Sequence, residues 1–193
     1  MDPLRKLYAT AHGVKPGLFS FNSDGACPTC NGLGAVYADL AFLDGVRSTC
    51  PDCAGRRYTD EVLALTVDGR SISDTLDLTA ATAVEAFTPS NPTQRDIRRR
   101  LQAVVDVGLG YLTLGQPLST LSGGECQRLK LAGRLHEHGP QGSGAVYVLD
   151  EPTTGLHMSD CGHLLGLLDR LVDGGGSVIV VEHNLDVVAH ADW

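Results

Sequence analysis

Ala145-Val146-Tyr147-Val148-Leu149-Asp150-Glu151 and Ser177-Val178-Ile179-Val180-Val181-Glu182-His183 are the two stretches that decide the fold of this 193-residue chain. Each is short, rich in valine and apolar until its last positions, where charge arrives abruptly. Between them Leu164, Leu165, Leu168, Leu171 and Val172 recur at helical spacing, and Gly174 to Gly176 stop the helix. Strand, helix, strand with continuous apolar strands predicts an α/β domain whose parallel sheet is covered on both faces.

Carboxylates at the carboxyl end of a buried strand are costly unless they meet a cation, and that end is where open α/β sheets bind ligands. Asp150 is therefore a candidate magnesium ligand, and Glu151 a candidate for polarising an attacking water. His183, ending the second strand, reads either as a satisfied structural histidine or as a donor to a terminal phosphate, and the same choice holds for His157 after Thr153-Thr154-Gly155-Leu156. Upstream, Leu121-Ser122-Gly123-Gly124-Glu125 directly precedes an amphipathic stretch, Cys126 to His136. Unpaired N–H groups and the helix dipole make such a start an anion site, although serine and glycine also begin helices merely as caps.

Four of the six cysteines form Cys27-Pro-Thr-Cys30 and Cys50-Pro-Asp-Cys53, with nineteen residues between the pairs. Each pair can place two thiolates on one ion from a tight turn, and four sulfurs make a closed, structural zinc site. Gly32, Gly34 and Gly55 provide the backbone freedom such turns need. Cys126 and Cys161 stand alone in helical contexts and read as small buried side chains.

The opening Pro3 to His12 reads as a helix stopped by Gly13, and strands are expected over Ala35 to Leu43 and Tyr58 to Val67. Thr79 to Phe87 predicts a short helix. A longer one follows Ser90-Asn91-Pro92, with Ile97, Leu101, Val104 and Val105 as its buried stripe, ending at Gly108. With 42% hydrophobic residues the chain can bury a core of one or two domains. It has no run of eighteen apolar residues and no signal-peptide pattern, so a cytoplasmic protein without membrane association is expected. A net charge of −8 means that any DNA contact must be focal. Arg56 and Arg57, and Arg95, Arg98, Arg99 and Arg100, form basic clusters that read as a solvated face or a phosphate-binding strip.

The segments Leu118 to Glu125, Leu149-Asp150-Glu151-Pro152 and Val181-Glu182-His183 resemble the signature, Walker B and switch motifs of the ABC ATPase superfamily. Phe19-Ser20-Phe21-Asn22, the spacing of the cysteine pairs, Gly55-Arg56-Arg57-Tyr58, Val107 to Pro117, Thr120 to Ala132, Leu149 to His157 and Val181 to Trp193 are similar to the C-terminal cassette of the UvrA family, damage-sensing subunits of the bacterial excision nuclease. The resemblance implies a partial ABC-type P-loop NTPase fold: an N-terminal helix and linker (1–18), a zinc module (19–70), a helical signature subdomain (71–138), and the Walker B and switch part of the ATPase core (139–193). By likeness, Ser122, Gly123, Gly124, Glu125 and Gly155 bind nucleotide, with the signature loop reaching ATP in another cassette of the same or another subunit. Asp150 holds magnesium, Glu151 acts on the water and His183 on the γ-phosphate. Zn2+, ATP with Mg2+, double-stranded DNA and a UvrB-like repair protein are the implied cofactors and partners.

A Walker A loop, G-x-x-x-x-G-K-[ST], is missing, since the only lysines are Lys6, Lys15 and Lys130. In the family that loop lies upstream of the position of Met1 and the chain continues past Trp193, so this chain is expected to be a piece of a longer ATPase, inactive alone. Cys126 replaces the usual alanine after the signature glutamate, and Phe42 to Val46 lacks the usual proline. These departures leave room for a UvrA-like paralogue conferring resistance to DNA-binding antibiotics. Cys27 to Gly34 also fits the C-x-x-C-x-G-x-G repeat of DnaJ-type zinc modules, which hold two metals through four repeats. A transporter nucleotide-binding subunit would lack the cysteines.

Overall fold

The computed structural model describes residues 2–40, 43–138, 144–156 and 158–193; side chains at 37–47, 134–143 and 157–160 are outside the description. His157 and Phe42, singled out above, therefore lie beyond the described residues. Contacts divide the chain into two units, one of residues 1–77 with 91–94, the other of 78–90 with 95–193.

The first unit opens with α1 (Asp2–His12), which ends where Gly13 turns left-handed. Leu4, Leu7 and Tyr8 face inward. The Tyr8 ring meets Phe19 at 5.3 Å between centroids, and its hydroxyl joins Thr75 Oγ1 at 2.7 Å. Strands β1 (Ala35–Leu40) and β2 (Leu43–Thr49) pair antiparallel, from Ala35 opposite Thr49 to Leu40 opposite Leu43. This hairpin spans the gap between the two cysteine pairs. The second expected strand, Tyr58 to Val67, is not one: Tyr58 makes a single bridge to Ala26, and α2 (Asp60–Leu63) follows at once. Its apolar residues Val62 and Leu63 are buried from one turn of helix, so this short apolar run follows the helical period and not the alternating one. Helix α3 (Ile72–Asp77) completes the unit, with Asp74 accepting from the Ser71 N–H and hydroxyl at its start.

The second unit holds α4 (Ala80–Ala86), capped by Thr79, and α5 (Pro92–Asp106), whose first turn is counted with the other unit and is capped by Asn91 Oδ1 accepting from the Gln94 N–H at 2.8 Å. The buried face of α5 runs through Ile97, Leu101 and Ala103, and Val107 follows it. Val104 and Val105 are only partly buried, so the stripe turns away from the expected positions. Then come α6 (Gly123–His138), β3 (Val146–Asp150), α7 (Met158–Asp173), β4 (Ser177–Val181) and α8 (Leu185–His190).

Strands β3 and β4 pair in parallel, Val146 beside Ser177 through Asp150 beside Val181. Leu164, Leu167, Leu168 and Leu171 of α7 pack with Leu131 and Leu149 into one core, against which Tyr147, Val178 and Val180 lie. Removing a fully buried leucine such as Leu164 costs about 2–5 kcal/mol. The opposite face is bare: Val146, Val148, Ile179 and Val181 are 54–64% exposed. The expectation of a sheet covered on both faces thus holds for one face only. The strand sequence is written for double cover, yet these residues provide helices for a single side. Among the described residues, no helix is long and apolar enough to cross a membrane.

Candidate functional site

In the first unit the Sγ atoms of Cys27, Cys30, Cys50 and Cys53 all lie within 4.8 Å of one another, and all four residues are buried. Cys27 and Cys50 are 3.9 Å apart at sulfur, and Cys30 and Cys53 are 3.6 Å apart. A disulfide needs ~2.05 Å. Four thiolates each ~2.3 Å from a tetrahedral zinc are separated by about 3.8 Å, so these edges fit a zinc site made of four cysteine sulfurs.

The backbone supports that reading. The Gly34 N–H points at Cys30 Sγ (3.2 Å) and the Arg57 N–H at Cys53 Sγ (3.4 Å), the amide-to-sulfur bonds that orient thiolates around a metal. Gly32 sits at φ +74°, and a Cβ there would overlap the Phe21 carbonyl, so only glycine closes this turn. Burial pushes the Cys53 thiol up to about 11, and a divalent cation offsets the cost of ionising such a sulfur.

The second unit gathers the other candidates. Ser122 and Glu125 form a capping box on α6: the Ser122 N–H donates to Glu125 Oε2 (2.7 Å) and the Glu125 N–H to Ser122 Oγ (3.2 Å). Tyr111 donates its hydroxyl to Glu125 Oε1. These bonds, the one from Tyr111 foremost, hold the Glu125 carboxyl below the usual range. The serine hydroxyl thus serves as a cap while its proton points elsewhere, so the cap and anion readings of this turn are compatible. Gly123 has open space around it.

Beyond β3 the chain turns sharply at Glu151, which adopts φ +44° although it is not glycine. A non-glycine residue in the left-handed region is strained and persists only when its surroundings fix it. Here the Glu151 N–H donates to the Val181 carbonyl (2.8 Å), and the Thr154 N–H (3.0 Å) and hydroxyl (3.2 Å) reach the Glu151 carbonyl and carboxylate. The Glu151 carboxylate lies 3.9 Å from His183 Nδ1, and both side chains are open to solvent.

The loop after Glu151 lies against the start of α6. A Cβ on Gly124 would come within 2.7 Å of the Thr154 carbonyl oxygen, and one on Gly155 within 3.8 Å of Ser122 Oγ. Asp150 is fastened from the same helix, since the Gln127 amide, oriented by its bonding network, accepts from the Asp150 N–H (2.8 Å) and donates to its carbonyl (2.6 Å). Ser122, Gly124, Asp150, Glu151, Gly155 and His183 therefore converge at the carboxyl ends of the two parallel strands.

Sequence reasoning missed two residues at this junction. Arg128, 1% exposed, donates from Nη1 to the carbonyls of Pro152 (2.9 Å) and Thr154 (3.0 Å). Glu182 accepts from the Thr153 N–H (2.8 Å) and hydroxyl with one oxygen, and from the His183 (2.9 Å) and Asn184 (3.1 Å) N–H groups with the other. Burial works against its charge, but these four bonds outweigh it and hold the carboxyl below the usual range. The signal for Glu182 was present as a second acid at a strand end. An arginine on an amphipathic helix carried none.

Along its whole length the chain is 48% identical to the UvrABC system protein A of Lactiplantibacillus plantarum over 198 residues and 48% identical to that of Thermus thermophilus over 201 residues. The fold superposes on the crystal structure of UvrA2 from Deinococcus radiodurans with a TM-score of 0.84 at 46% identity, covering 100% of this chain and 24% of that one. This chain is similar along its whole length to a segment of UvrA. It spans about a fifth of the length of the curated relatives it matches, 20% of each. No family model matches it. The likeness spans both the cysteine module and the strand-end site. The DnaJ-like and resistance-paralogue alternatives are not favoured: one four-sulfur cluster is found among the described residues, and the rest of the chain matches UvrA throughout.

Proposed function

We propose that this UvrA-like segment forms part of an ABC ATPase that uses ATP binding and hydrolysis to recognise damaged DNA in nucleotide excision repair. The observation that carries the reading is the meeting of Glu151, His183 and the Ser122 turn at one end of the parallel strands. In this role Glu151 accepts the proton of the attacking water, and His183 donates to the γ-phosphate from the neighbouring strand. Asp150 would hold magnesium, which when bound neutralises charge on the phosphates. Ser122, Gly123 and Gly124 present a hydroxyl and N–H groups to a phosphate held by a second cassette, and Glu125 and Gly155 shape the turns around them.

The phosphate-cradling Walker A loop is supplied by polypeptide outside this segment, and the isolated chain does not turn over ATP. The bare sheet face of Val146, Val148, Ile179 and Val181 supports this view, because a strand pair of this composition is built to be covered by further parts of an ATPase core. Cys27, Cys30, Cys50 and Cys53 hold one zinc, which organises residues 19–70. Residues 71–138 serve as the signature subdomain, and 139–193 as the Walker B and switch part. Double-stranded DNA, a second cassette and a UvrB-like protein are the partners.

The test is Glu151→Gln in the full-length protein that contains this segment. ATP binding should persist while hydrolysis falls by about 100-fold or more, within the range for loss of a general base. Hydrolysis at the parental rate would refute the assignment of Glu151.

A further inference from the structure

Arg128 is the largest fully buried side chain among the described residues, and its bonding is lopsided. Nη1 donates to two backbone carbonyls, those of Pro152 and Thr154, whereas Nε and Nη2 reach no partner of ordinary hydrogen-bond geometry among the described residues and the guanidinium lies beside the Tyr111 hydroxyl. The Glu125 carboxylate and the Tyr111 hydroxyl are near enough to feel its charge. A buried cation whose donors are only partly used costs stability, and a well-packed apolar residue of similar volume would serve the core at least as well. The carbonyls it holds define its use. Pro152 and Thr154 flank the turn that follows Glu151, and Thr154 is the residue whose N–H and hydroxyl reach back to Glu151. The neighbouring Gln127 holds both backbone atoms of Asp150 from the same turn of α6. Gly124, one turn earlier, has no side chain, and the Thr154 carbonyl oxygen comes within 2.7 Å of where a Cβ would be.

We infer that Arg128 is a positioning residue for ATP hydrolysis: through the Thr154 carbonyl it fixes the loop that aims the Glu151 carboxylate, so that the signature helix sets the strained turn at the end of β3. This rests on the ATPase reading given above and deepens it. Glu151 sits at φ +44°, a conformation it relinquishes unless the loop is pinned on both sides. The Val181 carbonyl pins it from β4, and Arg128 with Gln127 pins it from α6. When Arg128 is lost the carboxylate remains present but misaimed, so turnover falls while nucleotide affinity holds.

The experiment uses the full-length protein with ATP as the probe, comparing steady-state kcat and KM for the parent, Arg128→Lys, Thr154→Val, the double variant and, as a reference, Glu151→Gln. Lysine keeps the charge but cannot hold two carbonyls from one planar group, and valine removes only the hydroxyl of an exposed residue. Each single variant should lower kcat by about 10- to 100-fold, the cost of a misplacement near 1 Å, with KM for ATP within about 2-fold of the parent. Losses in the double variant should fall well short of the product of the singles, because Arg128 through the Thr154 carbonyl and the Thr154 hydroxyl both act by holding the one loop that aims Glu151. Parental kcat in Arg128→Lys, or losses that multiply, overturns the inference while Glu151-dependent turnover leaves the ATPase reading intact. Turnover indifferent to Glu151 defeats the ATPase reading and this inference with it. If Arg128→Lys does not fold, Thr154→Val decides: parental kcat there overturns the proposed route to Glu151.

Discussion

His183 Nδ1 lies 3.9 Å from the Glu151 carboxylate although the two residues end different strands. Parallel pairing brings this about: Asp150 is in register with Val181, so the residues just past each strand emerge side by side. One strand thus delivers an acid, and its neighbour an imidazole, to the same few ångströms of solvent-facing edge. In the full-length protein, His183→Ala should lower the rate of ATP hydrolysis by about 10- to 100-fold with the protein still folded, since its side chain is 80% exposed and supports no core. An unchanged rate, measured by phosphate release, would reduce His183 to a bystander.

The four-sulfur cluster predicts a unit that stands or falls with a bound metal. Apparent binding to such sites is on the order of 10–16 kcal/mol, comparable to the stability of a whole domain. Metal analysis should find one zinc per chain. Cys50→Ser or a strong chelator should abolish the ordered hairpin β1–β2, seen as loss of amide protection over Ala35 to Thr49. A stoichiometry of two would instead revive the DnaJ-like alternative.

Glu182 makes acid stability a readout of the strand-end network. Its folded pKa is depressed, so it contributes stability above its unfolded value, near the ordinary 4.5, and loses it as pH falls through the folded value. Glu182→Gln presents an amide to two N–H donors and should cost about 1–3 kcal/mol at neutral pH. The gap between the two proteins should shrink as pH falls below about 4.5, where the unfolded chain's carboxylate takes up a proton first, and should be lost once the folded carboxylate protonates. Urea unfolding at several pH values checks this, and a gap that is independent of pH would disprove the network's role.

The capping box on α6 separates hydrogen bonding from charge. Ser122→Ala should cost about 1 kcal/mol, as the loss of an N-cap does. Glu125→Gln preserves the reciprocal bonds and should change stability by less than about 0.5 kcal/mol. Chemical denaturation distinguishes the two, and equal losses would mean that the carboxylate's charge carries the cap.

The uncovered sheet face predicts the behaviour of the chain by itself. Four neighbouring apolar side chains, Val146, Val148, Ile179 and Val181, form a patch of the kind that drives association. The 193-residue chain alone should self-associate at micromolar concentration. Val148→Lys with Ile179→Lys should return it toward monomer in sedimentation experiments, and a monodisperse parent would show that the patch is harmless.

Much of this was legible because it is local. Four cysteines in two C-x-x-C turns announce one shared cluster of sulfurs through spacing alone, since each tight turn already pairs two of them. Thr79 and Asn91 announce helix starts through side chains that cap the next few N–H groups. The valine-rich runs ending in Asp150-Glu151 and Glu182-His183 announce strand tips, because charge is tolerated there and nowhere else along them.

What only the tertiary structure decided is whatever depends on a neighbour distant in sequence. Tyr58 to Val67 alternates like a strand, but it finds only isolated bridges at its two ends, Tyr58 to Ala26 and Val67 to Arg70, and without a ladder its backbone bonds close into a turn of helix. Arg128 is polar and sits on an amphipathic helix, and only the approach of the Pro152 and Thr154 carbonyls makes burial the better state for it. Periodicity reports which faces of a segment are apolar and not what arrives to cover them. That is why the sequence could specify a parallel strand pair and its acidic tip, while the fold alone showed one face packed by α7 and the other left open.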